Sequence, residues 1–243
     1  MKRALIFQHM DHDNAGRFMD FFAEDGVHPD TVRLWEGETI PDLAPYDMLL
    51  VLGGAMDVWQ EQDYPWLVAE KQAIREWVGD RARPYLGLCL GHQLLADALG
   101  GKVELAQQHE VGVHAITISD QGACHPLFAG LTGTQRVMQW HLAEVTAPPP
   151  GAQVLAASPV TRVQAMAVGN HALGLQFHAE FTPQSIASWA SLPDYIAALE
   201  RHLGPGSYDR VAREAYPLMP RMSAMTRRIY DNLMQATGLK KVA

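Results

Sequence analysis

Apolar positions along the chain change their spacing several times, and each change marks an element. Ala4 to Gln8 is a short, nearly continuous apolar run and reads as a strand, whereas Ala15 to Glu24 gathers its apolar residues on one side of a helix. Thr31 to Leu34 and Met48 to Leu52 return to the strand pattern, the latter stopping at Gly53-Gly54. Helical spacing reappears over Trp66 to Val78, carried by Trp66, Ala69, Ala73 and Trp77. Pro84 to Leu88 is a further apolar strand. After it, Leu94, Leu95, Ala98 and Leu99 give residues 92–99 one apolar helical face, closed by Gly100-Gly101. Strands alternating with helices predict the α/β class: a central, mostly parallel sheet with helices on both faces.

From Val113 to Phe177 the pattern turns to strands without long helices, with a hairpin around Gly169-Asn170, so an antiparallel extension of the sheet is expected. Pro148-Pro149-Pro150-Gly151 reads as a rigid surface loop within this half. Residues 1–194 then form one domain, and 195–243 a C-terminal helical extension packed on or near it. In that tail Met222, Met225, Ile229 and Leu233 share one helical face between Pro220 and Gly238. Such a face must be covered, either by the chain's own core or by a second copy of the chain.

Chemistry enters at Gly87-Leu88-Cys89-Leu90-Gly91-His92-Gln93, where a strand delivers a cysteine onto a turn with glycines two residues to either side. A nucleophile on a sharp strand-to-helix turn needs small neighbours there, since a β-carbon would strike the adjoining strand and helix. At a helix N-terminus the unpaired amides and the dipole favour thiolate over thiol. A second site lies in Gly174-Leu175-Gln176-Phe177-His178-Ala179-Glu180, read as a strand ending in a histidine and a glutamate two positions apart. Residues i and i+2 of a strand point the same way, so the Glu180 carboxylate can orient the His178 ring while His178 takes a proton from Cys89. Both sites fall beyond the carboxyl ends of strands, where open α/β sheets place ligands.

These motifs, together with Val51-Leu52-Gly53-Gly54, resemble the three signatures of the class I (triad-type) glutamine amidotransferases, in that family's usual order. The likeness spans most of residues 1 to about 190 and is nearest to stand-alone proteins similar to the glutaminase half of GMP synthetase. It implies a flavodoxin-like fold, a catalytic triad of Cys89, His178 and Glu180, and an oxyanion hole built from the backbone amides of Gly54 and Leu90. It also implies that Gln93 helps hold the glutamine substrate. The stretch Met138-Gln139-Trp140-His141-Leu142-Ala143-Glu144 resembles the family's W-H-G-D or W-H-S-D segment, which holds the α-amino and α-carboxylate groups of glutamine. Trp140 and His141 fit as substrate-binding residues, while Leu142 and Ala143 replace the small residue and the aspartate. Where many relatives have proline, Ala55 follows Gly54.

The implied reaction is hydrolysis of the γ-amide of glutamine or a γ-glutamyl amide through a Cys89 thioester. Ammonia would pass to a synthase on a separate chain, since no G-x-x-x-x-G-K-[ST] nucleotide loop occurs here. The alternative is a self-contained γ-glutamyl hydrolase acting on γ-glutamyl amines or peptides. A non-enzymatic stress or binding protein of the same architecture would keep only the elbow cysteine, and the intact His178 and Glu180 argue against it.

Composition narrows the setting. The chain has 243 residues, 48% of them hydrophobic, enough to bury a substantial core. A formal net charge of −8 argues against nucleic acid as a partner, and the basic stretches Arg221 to Arg228 and Lys240-Lys241 read as solvated helix faces. Two cysteines, Cys89 and Cys124, build no disulfide framework, and a nucleophilic Cys89 calls for a reducing compartment. Lys2-Arg3 precede only a short strand, and no apolar run is long enough to cross a bilayer, so a cytoplasmic location without membrane association is expected. The run Gln8-His9-Met10-Asp11-His12-Asp13 invites a metal reading, but ligands crowded into one loop without a distant partner rarely close a coordination shell. No metal or cofactor is expected.

Overall fold

The computed structural model describes residues 1–240, and Lys241 of the last basic pair lies outside the described residues. A nine-stranded sheet runs in the order β2-β1-β3-β4-β9-β8-β7-β5-β6. Its parallel part is made of β2 (Val27–Arg33), β1 (Lys2–Gln8), β3 (Met48–Val51), β4 (Tyr85–Leu88) and β9 (Ala172–Leu175). The remainder is antiparallel: β8 (Ala165–Val168), β7 (Gln153–Ala157), β5 (Lys102–Ile118) and β6 (Thr134–Ala147). Every residue of β3, β4 and β9 is buried, as expected of strands covered on both faces.

Two apolar layers cover the sheet. On one face α1 (Arg17–Asp25) and α8 (Met219–Ala236) join Phe18 and Phe22 to Ile229, Tyr230 and Leu233. On the other, α2 (Trp66–Ile74) and α3 (Leu90–Ala98) bring Leu67, Ile74 and Trp77 against Leu94 and Leu95. A third cluster lies over the antiparallel edge, where α5 (Pro183–Trp189), α6 (Pro193–Leu203) and α7 (Ser207–Ala215) pack Trp189, Leu199 and Val211 on Val111 and Met138. A short α4 (Asp120–Cys124) precedes β6.

The element boundaries depart from the sequence reading in three places. The strand expected at Thr31 to Leu34 begins at Val27, and its polar His28 and Asp30 and the donor-less Pro29 are tolerated because β2 is an edge strand paired only with β1. In α2 the buried side is Leu67, Glu70, Lys71, Ala73 and Ile74, and Ala69 is exposed. A π-helical turn over Arg75–Asp80 then brings Trp77 back into the core. The strand expected to carry His178 and Glu180 stops at Leu175.

The tail's apolar face is covered by its own chain: Met225, Ile229 and Leu233 lie in the same core cluster as Phe18. Of its basic residues, Arg221 and Arg228 are exposed and Arg227 is partly buried. Arg227 bonds Asp231 at 3.0 Å and also reaches Glu24.

Candidate active site

Cys89 stands between β4 and α3 with φ 50° and ψ −103°, a left-handed backbone that a side chain adopts only under constraint. Neighbouring bonds supply the constraint. Its amide donates to the Leu175 carbonyl at 2.8 Å, and its carbonyl accepts from the Gln93 amide at 3.1 Å. Both flanking glycines are required by space: a β-carbon at Gly87 would lie 2.5 Å from the Gly91 oxygen, and one at Gly91 2.3 Å from the Val51 oxygen. The thiol points into a cavity of 230 Å³ beyond the strand ends, with Sγ 3.8 Å from Gln176 Nε2 and 3.6 Å from the Trp140 carbonyl oxygen.

His178 reaches the same cavity from the irregular segment after β9, and Glu180 stands behind its ring. Three separate elements hold that segment. The His178 amide donates to the Met138 carbonyl at 2.9 Å, the Arg17 amide to the Glu180 carbonyl at 3.1 Å, and the Thr226 hydroxyl of α8 to the Ala179 carbonyl at 2.9 Å. Although the strand ends early, the i, i+2 relation survives: His178 Nδ1 lies 2.5 Å from Glu180 Oε1. The ring is also stacked on Phe181, with centroids 4.8 Å apart. Burial alone would push the His178 imidazole down. The Glu180 carboxylate and the Cys89 sulfur outweigh it and hold His178 well above the ordinary imidazole range. Histidine and cysteine meet across Gly53, where a β-carbon would stand 3.2 Å from His178 Cε1 and 3.6 Å from Cys89 Cβ.

The Gly53-Gly54 turn after β3 forms the floor. At Gly54 a β-carbon would stand 2.7 Å from Met56 Sδ and 2.9 Å from Leu90 Cδ2, so the chain passes this close to the start of α3 only as glycine. Beneath it His9 is fully buried, with Nδ1 2.7 Å from the Gly53 carbonyl oxygen and Nε2 2.9 Å from Glu70 Oε1. Both partners are acceptors, so both ring nitrogens donate and His9 is an imidazolium. Burial opposes that charge, and Glu70 restores it, leaving His9 raised. The amides on either side of Leu90 are committed, Cys89 to Leu175 and Gly91 to the Leu52 carbonyl at 3.1 Å, while Leu90 occupies the first position of α3.

Two of the residues expected to bind substrate, Gln93 and His141, are not among those that line the cavity. Gln93 does not line the cavity: it sits one turn into α3, donating from Nε2 to the Ala143 carbonyl at 3.0 Å and to Gln176 Oε1 at 3.2 Å. It thereby reaches the thiol only through Gln176. His141 is also turned away, because successive strand residues point to opposite faces. Its Nε2 lies 3.2 Å from Glu110 Oε2, and the ring is buried. Trp140, its neighbour, does line the cavity.

The remaining wall went unread in the sequence. It comes from Asp13 after β1, Phe181 and Trp189, and Asp194, Tyr195 and Ala198 of α6. The run from His9 to Asp13 divides accordingly: His9 points under the Gly53 turn, Asp11 and His12 are exposed, and Asp13 enters the cavity. A parity argument along Gln8–Asp13 could have separated His9 from its neighbours, but nothing local announces Tyr195.

Similarity to known proteins extends over most of the chain. The family model described as Glutamine amidotransferase class-I matches residues 22–188. The glutamine amidotransferase-like protein YfeJ of Salmonella typhimurium is 32% identical, over 73% of this chain and 75% of its own. A glutamine-hydrolyzing GMP synthase subunit of Sulfolobus acidocaldarius is 32% identical over 62% of this chain and 76% of its own. Gamma-glutamyl peptidase 5 of Arabidopsis thaliana is 32% identical over 69% and 67%. Among solved structures, a glutamine amidotransferase of Thermotoga maritima superposes with a TM-score of 0.87 at 26% identity, covering 96% of this chain and 98% of that one. With that coverage the helical tail is largely shared, rather than lying beyond the common fold.

Proposed function

Because this chain belongs to the class I glutamine amidotransferase family, we propose that it hydrolyses the side-chain amide of glutamine or of a γ-glutamyl amide through a covalent thioester on Cys89. The observation that carries this reading is the convergence of Cys89 and His178 on one cavity, with Glu180 behind the ring, His178 Nδ1 lying 2.5 Å from Glu180 Oε1. Cys89 is the nucleophile. Its sulfur attacks the γ-carbonyl carbon, and the carbonyl electrons move onto oxygen, where the amides of Gly54 and Leu90 serve as donors. His178, held as the imidazolium by Glu180, gives its proton to the departing nitrogen as the tetrahedral adduct collapses. Ammonia or an amine leaves. His178, now neutral, takes a proton from water, whose oxygen attacks the thioester; glutamate departs and the starting charge state returns.

The His9 imidazolium anchors the Gly53 carbonyl away from the cavity, which orients the following Gly54 amide toward it. A buried donor of this kind is worth about 3 kcal/mol to such a transition state.

Two destinations for the released nitrogen follow from the relatives. Likeness to a GMP synthase subunit supports delivery of ammonia to a synthase on another chain. A second reading is favoured by the cavity wall, where Trp140, Phe181, Trp189 and Tyr195 offer apolar surface that ammonia does not need. On that reading the chain is a self-contained hydrolase of γ-glutamyl amines or peptides.

The test is glutamate release from glutamine and from a panel of γ-glutamyl amides by the purified chain. We expect turnover that Cys89→Ala abolishes with the fold intact, and labelling by a glutamine-like chloroketone at Cys89 but not at the exposed Cys124. Turnover by Cys89→Ala, or label confined to Cys124, contradicts the assignment.

A further inference from the structure

The cavity contains a carboxylate that the thioester chemistry leaves unused. Asp13 is half-buried in the loop between β1 and α1, and its Oδ1 accepts the Tyr195 hydroxyl at 3.0 Å. Its Oδ2 lies 3.9 Å from the point where a Gly53 β-carbon would stand, the same point that is 3.2 Å from His178 Cε1 and 3.6 Å from Cys89 Cβ. The carboxylate therefore looks onto the reacting thiol and its base. Among the described residues no lysine or arginine lines the cavity, and the two nearby imidazoliums are engaged by other carboxylates, His178 by Glu180 and His9 by Glu70. Burial raises the Asp13 carboxyl, against the pull of His178, of the Tyr195 hydroxyl and of His9. A carboxylate aimed by a tyrosine into a ligand cavity, with no cation of its own, calls for one from the ligand.

The aromatic walls favour the same kind of group. Trp140 and Tyr195 stand with centroids 5.5 Å apart and planes at 67°, and Trp189 meets Trp140 at 5.1 Å and 87°. Crossed rings around a carboxylate suit an ammonium. In a γ-glutamyl substrate the α-ammonium is four bonds from the carbonyl carbon, so its counter-ion must stand a few ångströms to one side of the thiol. Asp13 stands there.

We propose that Asp13, aimed by Tyr195, is the counter-ion of the substrate's α-ammonium and makes the enzyme selective for amides whose acyl half is an amino acid. The inference rests on the amide-hydrolase reading above and adds to it a specificity-determining residue on one loop of the sheet, aimed by a tyrosine on one helix of the tail. Asp194, the other cavity carboxylate, is exposed at the start of α6 and serves as the comparison.

Two substrates isolate the charge. γ-Glutamyl-p-nitroanilide and glutaryl-p-nitroanilide share the leaving group, the acyl length and the far carboxylate, and differ only in the α-ammonium. Losing one partner of a buried charged contact costs about 30-fold or more, so the full-length wild-type chain should prefer the γ-glutamyl compound in kcat/KM by at least about that factor. Asp13→Asn should lower turnover of the γ-glutamyl compound by a similar factor through KM, leave the glutaryl compound within about threefold, and so abolish the preference. Tyr195→Phe should reduce the preference by several-fold, which reads out the contact even if Asp13→Asn folds poorly, and Asp194→Asn should keep it. Equal losses on both substrates in Asp13→Asn would mean that Asp13 acts on His178 instead, and a preference surviving in both Asp13→Asn and Tyr195→Phe would refute the assignment outright. If the wild-type chain releases nitroaniline from neither substrate, the amide-hydrolase reading falls, and the proposal falls with it. Release from both at equal rates overturns the proposal alone.

Discussion

His178 works at the boundary of two charged states, and the groups touching it decide which one is occupied. Its pull from Glu180 and from the Cys89 sulfur exceeds the cost of burial, so the imidazolium persists above the ordinary histidine range. Glu180→Gln removes one charge while preserving a hydrogen-bonding oxygen. The His178 titration should then fall by about one pH unit or more, since a neighbouring opposite charge typically shifts a titration by that amount. The measurement is the histidine Cε1 proton signal against pH. Activity should drop by about 10²- to 10⁴-fold, less than in Cys89→Ala, because orientation partly survives the loss of charge. An unmoved titration, or a defect equal to that of Cys89→Ala, would assign Glu180 a different part. The spacing of His178 and Glu180 was legible in the sequence because it is local. The His9 contact with Glu70 was not, since it joins positions 61 residues apart and only the fold brings them together.

Secondary-structure elements locate these residues by pinning backbone rather than side chain. The segment 178–181 follows β9 without regular structure, and its conformation is set by what seizes its carbonyls: the Arg17 amide at the start of α1, the Arg17 guanidinium on the Phe181 oxygen at 2.9 Å, and the Thr226 hydroxyl of α8. A helix of the C-terminal extension thus serves the site directly. Thr226 is buried, so Thr226→Val preserves shape while leaving the Ala179 carbonyl without that donor. Loss of one buried hydrogen bond should cost about 1 to 2 kcal/mol in urea unfolding. Turnover should fall in kcat more than in KM, as the His178–Glu180 segment loses a tether. Normal turnover with normal stability would show that the other two anchors suffice. At this scale the elbow was readable from glycine spacing alone, because each glycine answers a local collision. That Gln93 and His141 stand off the cavity wall was not readable, for the opposite reason. Which way a side chain leaves its helix or strand depends on partners such as Gln176 and Glu110, which sit on other strands or beyond their ends.

Across the whole molecule the alternation of strands and helices specified the parallel half of the sheet, and the change of pattern after Val113 announced an antiparallel extension that in fact begins at Lys102 and ends before the parallel β9. It did not specify that the third apolar cluster would roof the cavity, because Tyr195 and Asp13 are 182 residues apart and neither lies in a motif. The same global packing gives the protein histidines of opposite sign toward pH. His9 and His178 are raised by carboxylates, so the stability they contribute is full below the unfolded histidine value near 6.5 and is lost as pH climbs through their native values. His92 behaves inversely. It lies fully buried under β9, where a β-carbon on Gly174 would stand 2.6 Å from its Nδ1, and burial pushes it down to about 3 despite the backbone of Gly174 and Val163. Between 6.5 and that value the unfolded chain binds a proton that the folded chain refuses. Native stability must therefore fall with acid, by up to about 1.4 kcal/mol per pH unit from this residue alone. His92→Gln keeps a polar side chain of similar length and removes the titration. Urea unfolding of both proteins between pH 7 and pH 4 should give the variant a lower stability at pH 7 and a shallower decline toward acid. Parallel declines would place the acid sensitivity in other groups and require His92 to accept its proton inside the fold.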